Sequence, residues 1–215
     1  MLKGKGAQLL RPLTLIVNYQ REIQHLKQVD AKLGEWIERL GPCTLKPGAS
    51  APFAALCASI LYQQLSGKAA ATITARFKAL YGGSFPSPAA LLDTKDEALR
   101  GAGISRSKLL ALKDLAQKSH DGSLNFKALP ALDDEAIIDH LTRVRGIGRW
   151  TAQMFLMFTL GRLDVFPSAD LGIQKAVQQL YGYKKLPAPR TMNRHGNRWK
   201  PYRTLASWYL WKLVD

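Results

Sequence analysis

The chain has 215 residues, enough to bury a core as one domain or as two close lobes, and 47% hydrophobic content separates it from disordered sequences. With 31 Lys and Arg against 16 Asp and Glu, the formal net charge is +15, so a polyanionic partner is expected, nucleic acid ahead of an anionic membrane. The longest apolar run, "APFAALCASILY" at residues 51–62, is too short and too rich in small residues to span a bilayer, and Arg11 and Pro12 interrupt "LLRPLTLIV", a poor secretory signal. An intracellular protein with no membrane partner is expected. Cys43 and Cys57 cannot supply the four thiolates of an iron–sulfur cluster and read as packing residues.

Taken in chain order, "LTLIV" fits either a short strand or an extended arm. Next, "YQREIQHLKQVDAKLGEWIERLG" places Ile23, Leu26, Val29, Leu33, Trp36, Ile37 and Leu40 at helical spacing, with a possible break near Asp30 and a stop at Gly41-Pro42. From Ala51 the pattern predicts a helix to about Gln64, a second from Ser66 to Tyr81 closed by Gly82-Gly83, and a third entered through Ser87-Pro88 as N-cap and first helical residue. "DEALRGAGISRSKLLALKDLAQKSHDG" predicts a helix, a turn at Gly101-Ala102-Gly103 and a longer helix from Ser105. A second unit of that design follows in "DDEAIIDHLTRVRGIGRWTAQMFLMFTLG", where Asp133 or Asp134 caps the first helix and Thr151 to Leu160 form the core of the second. "LGIQKAVQQLYGY" reads as a helix, residues 184–198 as a Pro-, Arg- and Asn-rich loop, and "WKPYRTLASWYLWKLVD" as a strongly aromatic helix. No series of alternating strands appears, so the expected class is all-α.

Two features concentrate chemistry. Between Leu171 and Val214 there is no Asp or Glu, while Lys175, Lys184, Lys185, Arg190, Arg194, Arg198, Lys200, Arg203 and Lys212 all fall there, which reads as a phosphate-seeking surface. Upstream, Gly146-Ile147-Gly148 lies between two helices: the glycines permit positive φ and close approach to another molecule, while Ile147 can plug the turn into the core. Amides at the start of the following helix then form a site for a phosphate oxygen, with Arg143, Arg145 and Arg149 adding attraction. His25, His120, His140 and His195 have no ligand spacing and read as surface or loop residues.

"VRGIGRWTA" followed by "DVFPSAD" resembles the helix-hairpin-helix DNA glycosylase superfamily. "YQQLSGKAA" (62–70), "GISRSKLLALKDLA" (103–116) and "WKPYRTLASWYLW" (199–211) extend the resemblance over roughly residues 20–215 to its 3-methyladenine DNA glycosylase II (AlkA-type) branch. It implies two helical lobes with a cleft between them, one from residues 1–50 and 165–215, the other from residues 51–164 carrying the hairpin at about 134–160. The implied catalytic carboxylate is Asp170, which also has the look of a helix N-cap, with Asp164 as the fallback. Bifunctional members carry a nucleophilic lysine after "GxGR"; Trp150 stands there, which implies a monofunctional hydrolase.

A base pocket is implied at Trp150 and Trp211, with Met154 and Leu171 where the best-known bacterial member carries tyrosines. Gln64 is the first choice for the side chain wedged into the duplex, Gln63 and Leu65 its rivals. DNA contacts are expected from Arg145, Gly146, Ile147, Gly148, Arg149 and Thr151, and from Ser66 and Lys68. The resemblance also implies a sodium or potassium ion on the carbonyls of Thr142, Val144 and Ile147, and neither a catalytic metal nor another cofactor. The expected substrate is duplex DNA bearing 3-methyladenine, 7-methylguanine or similar bases, met by a monomer in the cytoplasm at the nucleoid, or in a eukaryotic nucleus. The alternatives are a bifunctional or oxidised-base glycosylase and a non-catalytic DNA-binding damage sensor.

Overall fold

The computed structural model describes residues 18–48 and 50–214; "LTLIV" lies outside the described residues. Among these, the regular structure is helical throughout: α1 (Gln20–Val29), α2 (Ala31–Leu40), α3 (Pro52–Tyr62), α4 (Gly67–Ala79), α5 (Pro88–Asp93), α6 (Asp96–Gly101), α7 (Arg106–His120), α8 (Asp134–Thr142), α9 (Arg149–Phe158), α10 (Leu171–Tyr181), α11 (Pro189–Arg198) and α12 (Arg203–Val214), with a short 3-10 turn at Leu129–Ala131. None is long and apolar enough to cross a membrane.

Side-chain caps start many of these helices. Asp30, Ser66, Ser87, Ser105, Asp133 and Asp170 each accept a bond from the amide three residues on, satisfying a donor that the helix itself leaves unpaired. Asp30 ends one helix and caps the next, which puts the break between α1 and α2 where the sequence suggested it.

The helices bury two separate sets of side chains. α3 to α9 enclose a core that includes Leu56, Ile60, Phe77, Leu112, Ile137, Leu141 and Leu156 and ends at Val165. α1, α2 and α10 to α12 enclose another, built on Leu26, Leu33, Ile173, Trp199, Tyr209 and Leu210, whose first member after the crossing is Phe166. Adjacent residues therefore belong to different cores, and Trp211 packs against both.

Residues 189–198 correct the expectation of a loop. Pro189 occupies the first turn of α11, where its missing N–H costs nothing, and Met192, His195 and Gly196 form a narrow buried stripe while Arg190, Asn193, Arg194 and Asn197 remain outside. So few apolar residues kept the helix from announcing itself in the sequence. His195 is likewise buried rather than superficial: its ring lies 4.0 Å from that of Tyr181, and its Nε2 meets the Tyr183 hydroxyl at 2.9 Å. Close by, buried Asp30 accepts from Tyr181 Oη at 2.5 Å, Trp199 Nε1 at 3.0 Å and Arg198 at 3.2 Å, so the charge is taken out of water only with its lone pairs occupied.

Candidate active site and DNA-binding hairpin

The glycine hairpin joins α8 to α9. Val144 and Ile147 are buried in the first core, at about 1.5–3 kcal/mol for each side chain, and pin the turn. Gly146 has φ of 76°, and a Cβ there would meet the Ala111 methyl at 3.2 Å, so only glycine fits comfortably. The Arg145 amide is consumed internally by Asp114 Oδ2 at 2.7 Å. Gly148, the N-cap of α9, brings no side chain to the first-turn amides of Arg149, Trp150 and Thr151, and a Cβ at Gly148 would meet nothing within 4 Å, so an approaching phosphate finds open access. Arg143 and Arg145 are exposed, whereas the Arg149 guanidinium is already paired with both oxygens of Glu135.

Facing the hairpin, the turn after α3 carries the three wedge candidates. Gln63 is tied down, its Nε2 donating to Gly146 O at 2.9 Å. Gln64 is exposed with φ of 55°, the only left-handed non-glycine among the described residues, a conformation held at some local cost. Leu65 is exposed as well. Ser66 and Lys68 are exposed at the start of α4, with Ser66 Oγ serving as cap. Between this turn and the hairpin lies a cleft of about 620 Å³ lined by Ser59, Tyr62, Gln63, Gln64, Gly146, Gly148, Trp150, Thr151 and Met154.

Asp170 approaches from the other core. The chain crosses at Val165–Phe166, and the following loop is braced by Ser168 N to Phe166 O at 2.9 Å, Asp170 N to Pro167 O at 2.9 Å and Val165 N to Thr204 Oγ1 at 3.1 Å. Its carboxylate caps α10 through Oδ1, which accepts from the Ile173 amide at 2.8 Å and from Trp211 Nε1 at 3.0 Å; Oδ2 accepts from Trp150 Nε1 at 2.7 Å. The N-cap and the candidate catalytic roles thus meet in one side chain. Gly172 makes room for this, since a Cβ there would lie 3.1 Å from Asp170 Oδ1 and 3.2 Å from the Trp211 ring. Asp164, the fallback, is engaged by Arg203, which bonds both its carboxylate and its carbonyl, and serves to anchor the start of α12.

The structure brings Trp150, Trp211 and Asp170 together, places Met154 on the cleft wall, and leaves Leu171 53% exposed beside Asp170. Tyr62, Leu65, Trp150, Phe158 and Leu171 are five of the nine large exposed hydrophobics among the described residues, and all sit on or next to these segments, as a surface that receives a ligand would have them. Sequence reading missed several supports: Phe158 beside the Trp211 ring (6.0 Å), Lys108 holding Leu61 O at 2.6 Å beneath the wedge turn, and Asp114 under the hairpin. Each pairs residues more than 30 apart, and no local pattern marks them. Burial depresses the Lys108 ammonium below its ordinary value. It pushes the thiol of Cys43 up to about 11 and that of Cys57 higher still, leaving both cysteines unreactive.

A glycine hairpin with uncapped first-turn amides thus lies between two helices, and a braced carboxylate stands within reach of the cleft through Trp150. The chain belongs to the HhH-GPD superfamily of base excision DNA repair proteins, whose family model matches residues 57–201. It is 30% identical to the alkylbase DNA glycosidase-like protein of Schizosaccharomyces pombe, over 91% of this chain and 94% of that one. Among solved structures, a DNA-3-methyladenine glycosidase from Bacillus halodurans superposes with a TM-score of 0.83 at 39% identity, covering 91% of this chain and 90% of the other. A 3-methyladenine DNA glycosylase of S. pombe in complex with abasic DNA gives 0.80 at 33% identity, covering 90% and 96%.

Proposed function

We propose that this protein is a monofunctional DNA glycosylase, hydrolysing the N-glycosidic bond of alkylated purines such as 3-methyladenine and 7-methylguanine in duplex DNA and leaving the strand intact. The observation that carries the reading is Asp170, a carboxylate fixed by two indole N–H groups and a backbone amide where the neighbouring position 150 offers no amine. As the bond to the base stretches, positive charge grows on the sugar. A carboxylate oriented before the substrate arrives stabilises that charge without reorganising, and it can direct the attacking water. Alkylated purines suit the site because many are cationic and the half-exposed Trp150 on the cleft wall offers an electron-rich face; the names carried by the relatives support the same substrate class.

The other parts follow from position. The hairpin amides and α9 hold a phosphate, Arg143 and Arg145 add charge, and Gln64 fills the space left in the duplex when the nucleotide turns out of the stack. At the end of α8 the carbonyls of Thr142 and Ile147 accept no backbone bond among the described residues, and Val144 O accepts only the Ile147 amide at 3.1 Å. A sodium or potassium ion held on these oxygens would add positive charge beside the phosphate. The protein acts as a monomer.

The test incubates the full chain with methylated duplex DNA. Free 3-methyladenine and 7-methylguanine are expected in the supernatant, strand breaks only after alkali, and no covalent adduct on borohydride treatment. A trapped adduct would refute the monofunctional assignment, and absence of released base would refute the activity.

A further inference from the structure

We propose that Trp150 is a latch that keeps Asp170 Oδ2 covered until an entering nucleotide displaces the indole, an inference that rests on Asp170 being the catalytic carboxylate. The two indoles bonded to this side chain are not equivalent. Trp211 is partly buried, packed against both cores and confined by Phe158 and by the space at Gly172, and it shares Oδ1 with the Ile173 amide. These two donors are enough to set the direction of the carboxylate. Trp150 is 50% exposed at the first turn of α9, and its N–H alone occupies Oδ2.

The Trp150 indole lines the cleft and bonds Asp170 across from it, while neither Asp170 nor Trp211 lines the cleft. A base lodged in the cleft is therefore separated from the carboxylate by the indole. To bring its glycosidic bond to Asp170 it must draw Trp150 away from Oδ2, and the same movement exposes that oxygen to the sugar. Breaking a charge-assisted hydrogen bond opposes every base equally. A cationic base stacked on the displaced indole compensates for the loss, whereas a neutral undamaged base does not. The latch thus lowers affinity for every base alike, while the preference for a cationic base rests on its stacking on the displaced indole.

Trp150→Phe keeps an aromatic ring and removes the donor. Single-turnover base release from a duplex carrying one 7-methylguanine is followed against protein concentration for the wild type, Trp150→Phe, Trp211→Phe and Asp170→Asn. The latch predicts that Trp150→Phe half-saturates at about five- to tenfold lower concentration, the value of one such bond at a partly exposed site, and that it gains affinity for undamaged duplex as well. A residue serving only as pocket wall or packing would move half-saturation the other way. Trp211→Phe is expected to slow release with no gain in affinity. If Trp150→Phe binds no tighter while Asp170→Asn is inactive, the latch is overturned and the active-site reading stands. If Asp170→Asn releases base at the wild-type rate, the active-site reading falls, and the latch with it.

Discussion

Replacing Asp170 with asparagine separates charge from shape. Asn is as good an N-cap as Asp, so the bond from the Ile173 amide to Oδ1 survives and α10 keeps its start. On the other branch an NH2 group replaces Oδ2 and meets the Trp150 N–H, donor against donor, where a 2.7 Å hydrogen bond stood; half-exposed Trp150 can turn to water, so the fold loses little. The catalytic effect is larger. A unit negative charge about 4 Å from the developing sugar cation contributes about 4 kcal/mol at an effective dielectric constant of about 20, and at about 1.4 kcal/mol per factor of ten its loss lowers the rate roughly a thousandfold. Single-turnover base release reads the rate, a titration with abasic duplex reads binding, and a thermal melt reports on folding. Release within tenfold of wild type from a normally folded variant would refute the electrostatic role of Asp170.

Gly146→Ala puts a methyl at φ of 76° and 3.2 Å from Ala111; a loss of about 1–2 kcal/mol is expected, with weaker binding to abasic duplex, and an unchanged melting temperature would contradict the turn geometry. Gly196→Ala drives a Cβ to 2.5 and 2.7 Å from Phe166 ring carbons, so it should destabilise by about 1–3 kcal/mol and, by displacing the loop that ends in Asp170, slow base release in parallel. In salt titrations, Arg143→Ala and Arg145→Ala are each expected to flatten the logarithmic dependence of DNA affinity by up to about 0.9. Arg149→Ala should do so less, because Glu135 already neutralises that guanidinium. Burial, then the neighbouring Arg198, holds the His195 imidazole below its ordinary 6.5, so on acidification the unfolded chain takes up a proton that the folded chain refuses, and stability falls from about pH 6.5 downward. Asp30 is a carboxylate that burial alone would raise, but bonds from Tyr181, the Leu33 amide and Trp199 and the charge of Arg198 bring it below 3.8; its contribution is full above that pH and disappears as pH falls through the folded value. Denaturant unfolding at pH 7, 5 and 3 checks both limbs, and His195→Gln should abolish the first.

Where a short stretch of sequence sets its own conformation, the fold was readable: Ser87-Pro88, Ser105 and Asp133 each start the helix expected of them. Around Gly146 and Gly148 the pattern was equally local, a turn that needs positive φ followed by a helix with bare amides. The α11 stripe of Met192, His195 and Gly196 failed that test, because it holds a single large apolar residue, with His195 set against Tyr181 and Gly196 against Phe166 in place of an apolar face. Resemblance pointed to Asp170 and the two tryptophans, yet which indole bonds which oxygen depends on how two cores meet, and no periodicity encodes that. Among the wedge candidates, the bond from Gln63 to a carbonyl 83 residues away distinguishes it from Gln64.

The crossing at Val165–Phe166 sets an order of events. Residues 52–165 form one continuous segment that supplies every buried member of the first core, with Trp211 packing on it from outside, whereas the second core joins α1 and α2 to helices at the far end. Its closure waits on contacts of long sequence separation, the slow kind in folding. During synthesis the hairpin can be complete, able to grip phosphate, while α12, which carries Trp211, is still missing. A chain truncated before α12 would keep the phosphate-gripping hairpin and lose the Trp211 indole that braces Asp170.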